Sequence, residues 1–147
     1  MATHGLPTWP WAHALADDLP RAEGLLLEGM RLWSQAARAG APPLPALRPP
    51  FIAEDAPAAI PALDALLRAV LPRADLPCPL CTRVAPAEAM LLLGCALVQR
   101  GARREALGLF LRHLPPLQAY AAMPAAIPLG VALARAGLLL RNPLKPR

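Results

Sequence analysis

Residues 86–116, PAEAMLLLGCALVQRGARREALGLFLRHLPP, decide the fold class. Pro86 in a first turn and Glu88 just inside it open a helix there. Proline fits where the N–H has no helical partner, and a carboxylate suits the positive end of the helix dipole. No charge interrupts the stretch from Ala89 to Val98. A helix apolar on every side is one surrounded by neighbours, so the helix at about 86–100 is expected at the centre of the fold. Gly101 ends it. A second, amphipathic helix follows over 102–114, with Ala106, Leu107, Phe110, Leu111 and Leu114 on one face. The punctuation then returns. Leu93-Gly94 followed by Gly101 is echoed, 36 residues on, by Leu129-Gly130 followed by Gly137. Offsets of that size are what stacked helical hairpins produce.

Working outward, Asp18 is a candidate cap and Pro20 a first-turn residue for a helix running to about Ala39, stopped by Gly40. Leu26, Met30, Trp33 and Ala37 form its apolar stripe, with Glu28, Arg31, Gln35 and Arg38 opposite. Pro42 to Pro50 reads as a stiff, extended connector. The next helix starts at Pro61 and ends near Leu71, with Leu63, Leu66, Leu67 and Val70 inward and an Asp64–Arg68 pair outward. Residues 72–85 form a loop. After the central pair, a short turn at 117–123 leads to a last helix from Pro128 to Leu140. Pro115, Pro116, Pro124 and Pro128 argue against one continuous membrane-spanning helix. No strand-like alternation occurs anywhere, so the expectation is all-α: a small bundle or short solenoid of five to six helices. Residues 1–18 form an irregular arm, 19–141 one helical domain and 142–147 a basic tail.

Leu93-Gly94, Leu97, Gly101, Glu105-Ala106 and Phe110 resemble the spacing of a tetratricopeptide hairpin. The resemblance covers 86–114, with the echo at 129–137. It implies that Gly94 and Ala106 let two helices approach closely while Leu97 and Phe110 fill the gap. It also implies protein binding in a groove, lined here by the apolar Leu91, Cys95 and Val98. His113 stands where that family usually has a small residue.

With 147 residues the chain can bury a sizeable core, and it is 56% hydrophobic with 20 prolines. Fourteen of its fifteen basic residues are arginine, a bias that GC-rich codons supply. Residues 1–73 carry seven acids and six bases, whereas 74–147 carry three acids and nine bases. A basic second half suits nucleic acid, an anionic membrane or an acidic partner, or simply a solvated arginine-rich surface. Met1 to His13 lacks the basic start and apolar run of a secretory signal. Three cysteines, an odd number, fit a reducing interior, so a cytoplasmic location is expected.

Cys78-Pro-Leu-Cys81 is the one short motif of chemical interest. Two thiolates at that spacing could hold half of a zinc site, completed from Cys95, His113, His13 or His4. They could also act as a thiol-redox pair, though such pairs usually sit at a helix N-terminus. The plainer alternative is two loop thiols against the core, with Cys95 a small core residue. Acid–base catalysis is poorly supplied. Asp17, Asp18, Glu23, Glu54, Asp55, Asp64, Glu88 and Glu105 all fall at or before expected helix starts, where caps and dipoles account for them. No nucleophile elbow and no phosphate-cradling glycine loop is present.

Two places remain for a partner. Arg100, Arg103, Arg104 and Arg112 form a basic patch able to contact phosphates. Trp9 and Trp11 either dock on a partner or pin the arm to its own helices. The reading is therefore a non-catalytic, cytoplasmic adaptor or accessory protein that binds another protein, with no cofactor. A nucleic-acid-associated factor using Arg100–Arg112 is the alternative, and a zinc or thiol-redox protein built on Cys78 and Cys81 comes third. A homo-oligomer remains compatible with either of the first two.

Overall fold

In the computed structural model, which describes residues 11–70 and 80–144, six α-helices follow one another. They are α1 (Arg21–Arg38), α2 (Pro43–Ala53), α3 (Ile60–Val70), α4 (Pro86–Gln99), α5 (Arg103–His113) and α6 (Pro116–Arg135). Single 3-10 turns at Ala16–Asp18 and Pro57–Ala59 lead into α1 and α3. No strand forms among the described residues, and one isolated antiparallel bridge joins Leu15 to Arg83. The fold is an all-α bundle. α4 lies against α1, α5 and α6, α3 runs along α6 in the most extensive helix pair, and α2 bridges α1 and α3.

α4 is the central helix that its composition demands. Every residue from Glu88 to Val98 is buried. Gly94 lets α5 come close, because a Cβ at that position would lie 2.5 Å from Cζ of the buried Phe110 ring. Gly94 thus faces Phe110, the gap-filling residue. On α5 the inward face is Ala106, Leu109, Phe110 and, at the cap, Leu114, while Leu107 is only half-buried and Leu111 is exposed. Leu63, Leu66, Leu67 and Val70 of α3 all point into the core.

Three elements differ from the sequence reading, each for a physical reason. The expected connector at 42–50 is instead the body of α2. Its first prolines sit where helical N–H groups have no partner anyway. Leu47 and Phe51, one turn apart, are both wholly buried, and that burial offsets the bonds lost at Pro49 and Pro50. Gly29 of α1 admits the Phe51 ring, since a Cβ there would fall 2.8 Å from it. The expected turn at 117–123 and helix at 128–140 are replaced by one helix, α6. Pro124 and Pro128 lie four apart on its exposed side, so the helical bonds they cost are lost away from the core. Its other side packs on α3, α4 and α5. On α1, Asp18 does not cap. Pro20 holds the N-cap position, and Ala37 is exposed at the far end of the expected stripe.

The 36-residue echo is a shared way of ending a helix. Gly101 and Gly137 adopt φ of 81° and 80°. The following N–H groups, of Ala102 and Leu138, each donate back to a carbonyl five residues earlier at 2.8 Å. After Gly101 comes α5. After Gly137 the chain runs without helix to Leu144, with Leu138 and Leu140 buried, so no second hairpin forms among the described residues.

Candidate functional site: an uncharged face beside an arginine rim

α4 and α6 each carry a single charged residue, Glu88 and Arg135. Glu88 is buried in the core and paired. Its carboxylate accepts from Arg31 Nε at 2.8 Å and Nη2 at 3.0 Å, and from the Ala85 N–H at 2.9 Å. Arg31 donates further to the carbonyls of Cys81 at 2.6 Å and Arg83 at 3.1 Å. Arg31 is therefore not on a solvated face, as its place in the α1 stripe suggests. It is 6% exposed and ties α1 to α4 and to the segment before it. Every group in this cluster already has a partner, so the pair is structural rather than a site for chemistry. Trp33 Nε1 likewise donates to Asp64 at 2.8 Å, and Asp64 also accepts from Arg68 at 3.0 Å. Glu23 is buried too. It accepts from the Arg141 N–H at 2.9 Å, while its Oε1 has no hydrogen-bond partner among the described residues.

Cys78, Trp9 and His4 lie outside the described residues. Cys81 is part-exposed, and its carbonyl is taken by Arg31. Cys95 is enclosed in α4, where burial pushes its thiol up to about 12. No group of three or more His, Cys, Asp or Glu side chains able to hold a metal comes together among the described residues. Trp11 packs half-buried on the core, with the Arg141 guanidinium 5.8 Å from its ring centroid. Its stretch of the arm is also tied to residues 82–84, through His13 N to Val84 O at 3.0 Å and Ala16 N to Thr82 O at 2.8 Å. Trp11 is thereby committed to its own chain.

One hollow, about 720 Å³, lies between the start of α1 and the end of α2. Two of its lining arginines are paired, Arg21 with Glu54 and Arg31 with the buried Glu88, and Asp17 and Glu28 line it as well. The surface around α6 behaves differently. Leu117 is 83% exposed, Tyr120 59% and Val131 46%. Pro124, Pro128 and Ala134 lie on the same exposed side, and nothing between Leu117 and Ala134 is charged. α6 is also the one helix among the described residues long and apolar enough to cross a membrane by length and composition, with 39% of that window buried within the bundle. Beside its C-terminal half a second hollow, about 460 Å³, opens between α6 and the α4–α5 corner.

Of the predicted basic patch, Arg103 lines this second hollow. Arg103, Arg104 and Arg112 are exposed, and none of their side chains takes a hydrogen bond or ion pair among the described residues. Arg100 is different, since its guanidinium donates to the Leu140 carbonyl at 2.7 Å. Arg135 joins the rim in its place, and sequence reasoning missed it together with Leu117, Ile127 and Val131. The signal is the uncharged run itself, which its prolines punctuate as though it were separate elements. No family model, curated protein or solved structure matches the chain.

Proposed function

We propose that this protein is a non-catalytic helical adaptor that binds another protein through the outer face of α6. The observation that carries the reading is the uncharged, exposed run from Leu117 to Ala134. Its apolar side chains are not scattered singly but follow one side of one helix, and contiguous exposed apolar surface is the mark of an interaction site. The inner side of the same helix is fixed against three others, so the face is presented on a rigid support. A cytoplasmic setting goes with the odd cysteine count.

The test is a tagged pull-down from the native host, with and without nuclease, comparing the unaltered protein with Leu117→Glu/Val131→Glu. The adaptor reading expects one protein recovered stoichiometrically in both nuclease arms and lost with the double variant. A partner indifferent to the α6 substitutions would sink it. The exposed, unpaired guanidinium groups of Arg103, Arg104 and Arg112 favour one second reading, nucleic-acid association. That reading expects recovered material to vanish with nuclease and with Arg103→Glu/Arg104→Glu.

A further inference from the structure

The hollow beside the C-terminal half of α6 has a chemistry of its own. Val98 of α4 and Ile127, Val131 and Ala134 of α6 supply its apolar lining, and Arg103 of α5 and Arg135 of α6 supply its two charges. The polar group in its floor is already occupied. Gln99 donates to the carbonyls of Gly130 and Leu138, both at 3.1 Å, and accepts from the Leu140 N–H at 2.7 Å. Recognition there falls to the apolar side chains and the two arginines.

Among the described residues no carboxylate pairs with those arginines. Glu88 is buried against Arg31, Glu105 is the sole other acid after residue 80, and none follows it. Arg103 and Arg104 also stand in the first turn of α5, the positive end of its dipole, where cations are disfavoured and Glu105 is the one carboxylate. The N-cap there is Ala102, which has no side chain able to accept from the free N–H groups. An incoming carboxylate would relieve both.

From this complementarity we infer that the groove takes an acidic amphipathic helix of a partner protein. Its apolar ridge would lie over Ile127 and Val131, with carboxylates on Arg103 and Arg135. Ile127, Val131 and Ala134 line one wall of the groove, against which the apolar face of a helix can lie. A bilayer would meet a convex face rather than a hollow between helices. Single-stranded nucleic acid would need aromatic platforms, and none lines this groove.

This inference rests on the adaptor reading, and site-specific cross-linking in the native host separates the two. A benzophenone-bearing residue would replace Ile127 or Val131 in the groove, or Leu117 or Tyr120 at the far end of α6. The inference expects groove cross-links to one protein, within a segment carrying Asp or Glu beside apolar residues at helical spacing. Reversing the rim with Arg103→Glu/Arg135→Glu should cut the Val131 yield at least about tenfold. The neutral pair Arg103→Gln/Arg135→Gln should cut it less, and circular dichroism would report whether each variant stays folded. Cross-links to lipid, nucleic acid or a second copy of this chain, to a segment without carboxylates, or with a yield unmoved by charge reversal would each overturn it. Cross-links at Leu117 with none in the groove would overturn the acidic helix and leave the adaptor standing. None at any of the four positions would remove both.

Discussion

α4 and α6 are near twins in composition. Each opens on a proline, each is apolar along its length and each carries one charged residue. Their surroundings are opposite. α4 is enclosed on all sides and holds its charge inside, paired across the bundle. α6 turns one side inward and leaves its charge and a line of apolar side chains in solvent. Apolar composition therefore does not by itself decide burial. What decides it is how many neighbours the chain supplies, and among the described residues α6 receives them on one side only. The surplus apolar surface left on α6 is the feature that points to a partner.

The single charges give the sharpest contrast. Glu88→Leu should destabilise by about 3–5 kcal/mol, because it strands Arg31 as an uncompensated buried cation. Adding Arg31→Met should recover much of that loss, since a buried pair replaced by apolar residues of similar size is often near neutral. Arg135→Leu, the matching change on α6, should stay within about 0.5 kcal/mol. Urea titration of the three variants beside the unaltered protein checks this, and a small effect for Glu88→Leu alone would break the comparison.

Helix approach comes next. Gly94→Ala drives a methyl into the Phe110 ring, which is itself buried, so overpacking of about 1–3 kcal/mol should exceed the gain of up to about 1 kcal/mol in helix propensity. Gly130→Ala on α6 meets Gln99 Cα at 3.3 Å, a tight contact rather than a clash. Its melting temperature should fall less than that of Gly94→Ala, and the reverse order would show that α4 is the more yielding of the two.

Cys95 probes the enclosure of α4 through pH. Its thiol is pushed from 9.0 up to about 12 by burial, so the folded state holds its proton where the unfolded chain has released it. The favourable contribution is complete below pH 9 and is lost as pH rises towards 12. The slope approaches about 1.4 kcal/mol per pH unit within that window. The stability difference between the unaltered protein and Cys95→Ala, followed from neutral to alkaline pH, should therefore shift in favour of the variant. A constant difference would mean that the thiol is open to water.

How much of this was legible follows from the same two helices. The α4–α5 hairpin could be read because its signals agree: proline at the start, glycine at the end and unbroken apolar residues between. α2 and α6 are less legible, because their prolines read as boundaries. Leu47 with Phe51, and Leu129 with Leu133, already carry the helical spacing that overrides them. Arg31 and Glu88 could not be paired from sequence. Their ordinary local explanations, a polar stripe and a dipole-facing acid, were each sufficient, and their meeting is a tertiary event across 57 residues. The arginine patch was half legible. Arg103, Arg104 and Arg112 are exposed as read, but the carbonyl that takes up Arg100 belongs to Leu140, which only the fold brings there.

The smallest expected change in stability is the one that speaks most directly to function. Leu117→Glu and Val131→Glu place charges on α6 where the side chains already meet water, so each should alter stability by no more than about 0.5 kcal/mol. The same substitution on α4, Leu97→Glu, puts an unpaired carboxylate into a wholly enclosed position and should prevent folding at neutral pH. Thermal unfolding compares the three directly. If the α6 variants melt with the unaltered protein yet lose the recovered partner, the apolar line on α6 serves binding and not the fold. If they melt early, α6 is covered in solution by something that belongs to the folded protein itself, and its outer side is core after all.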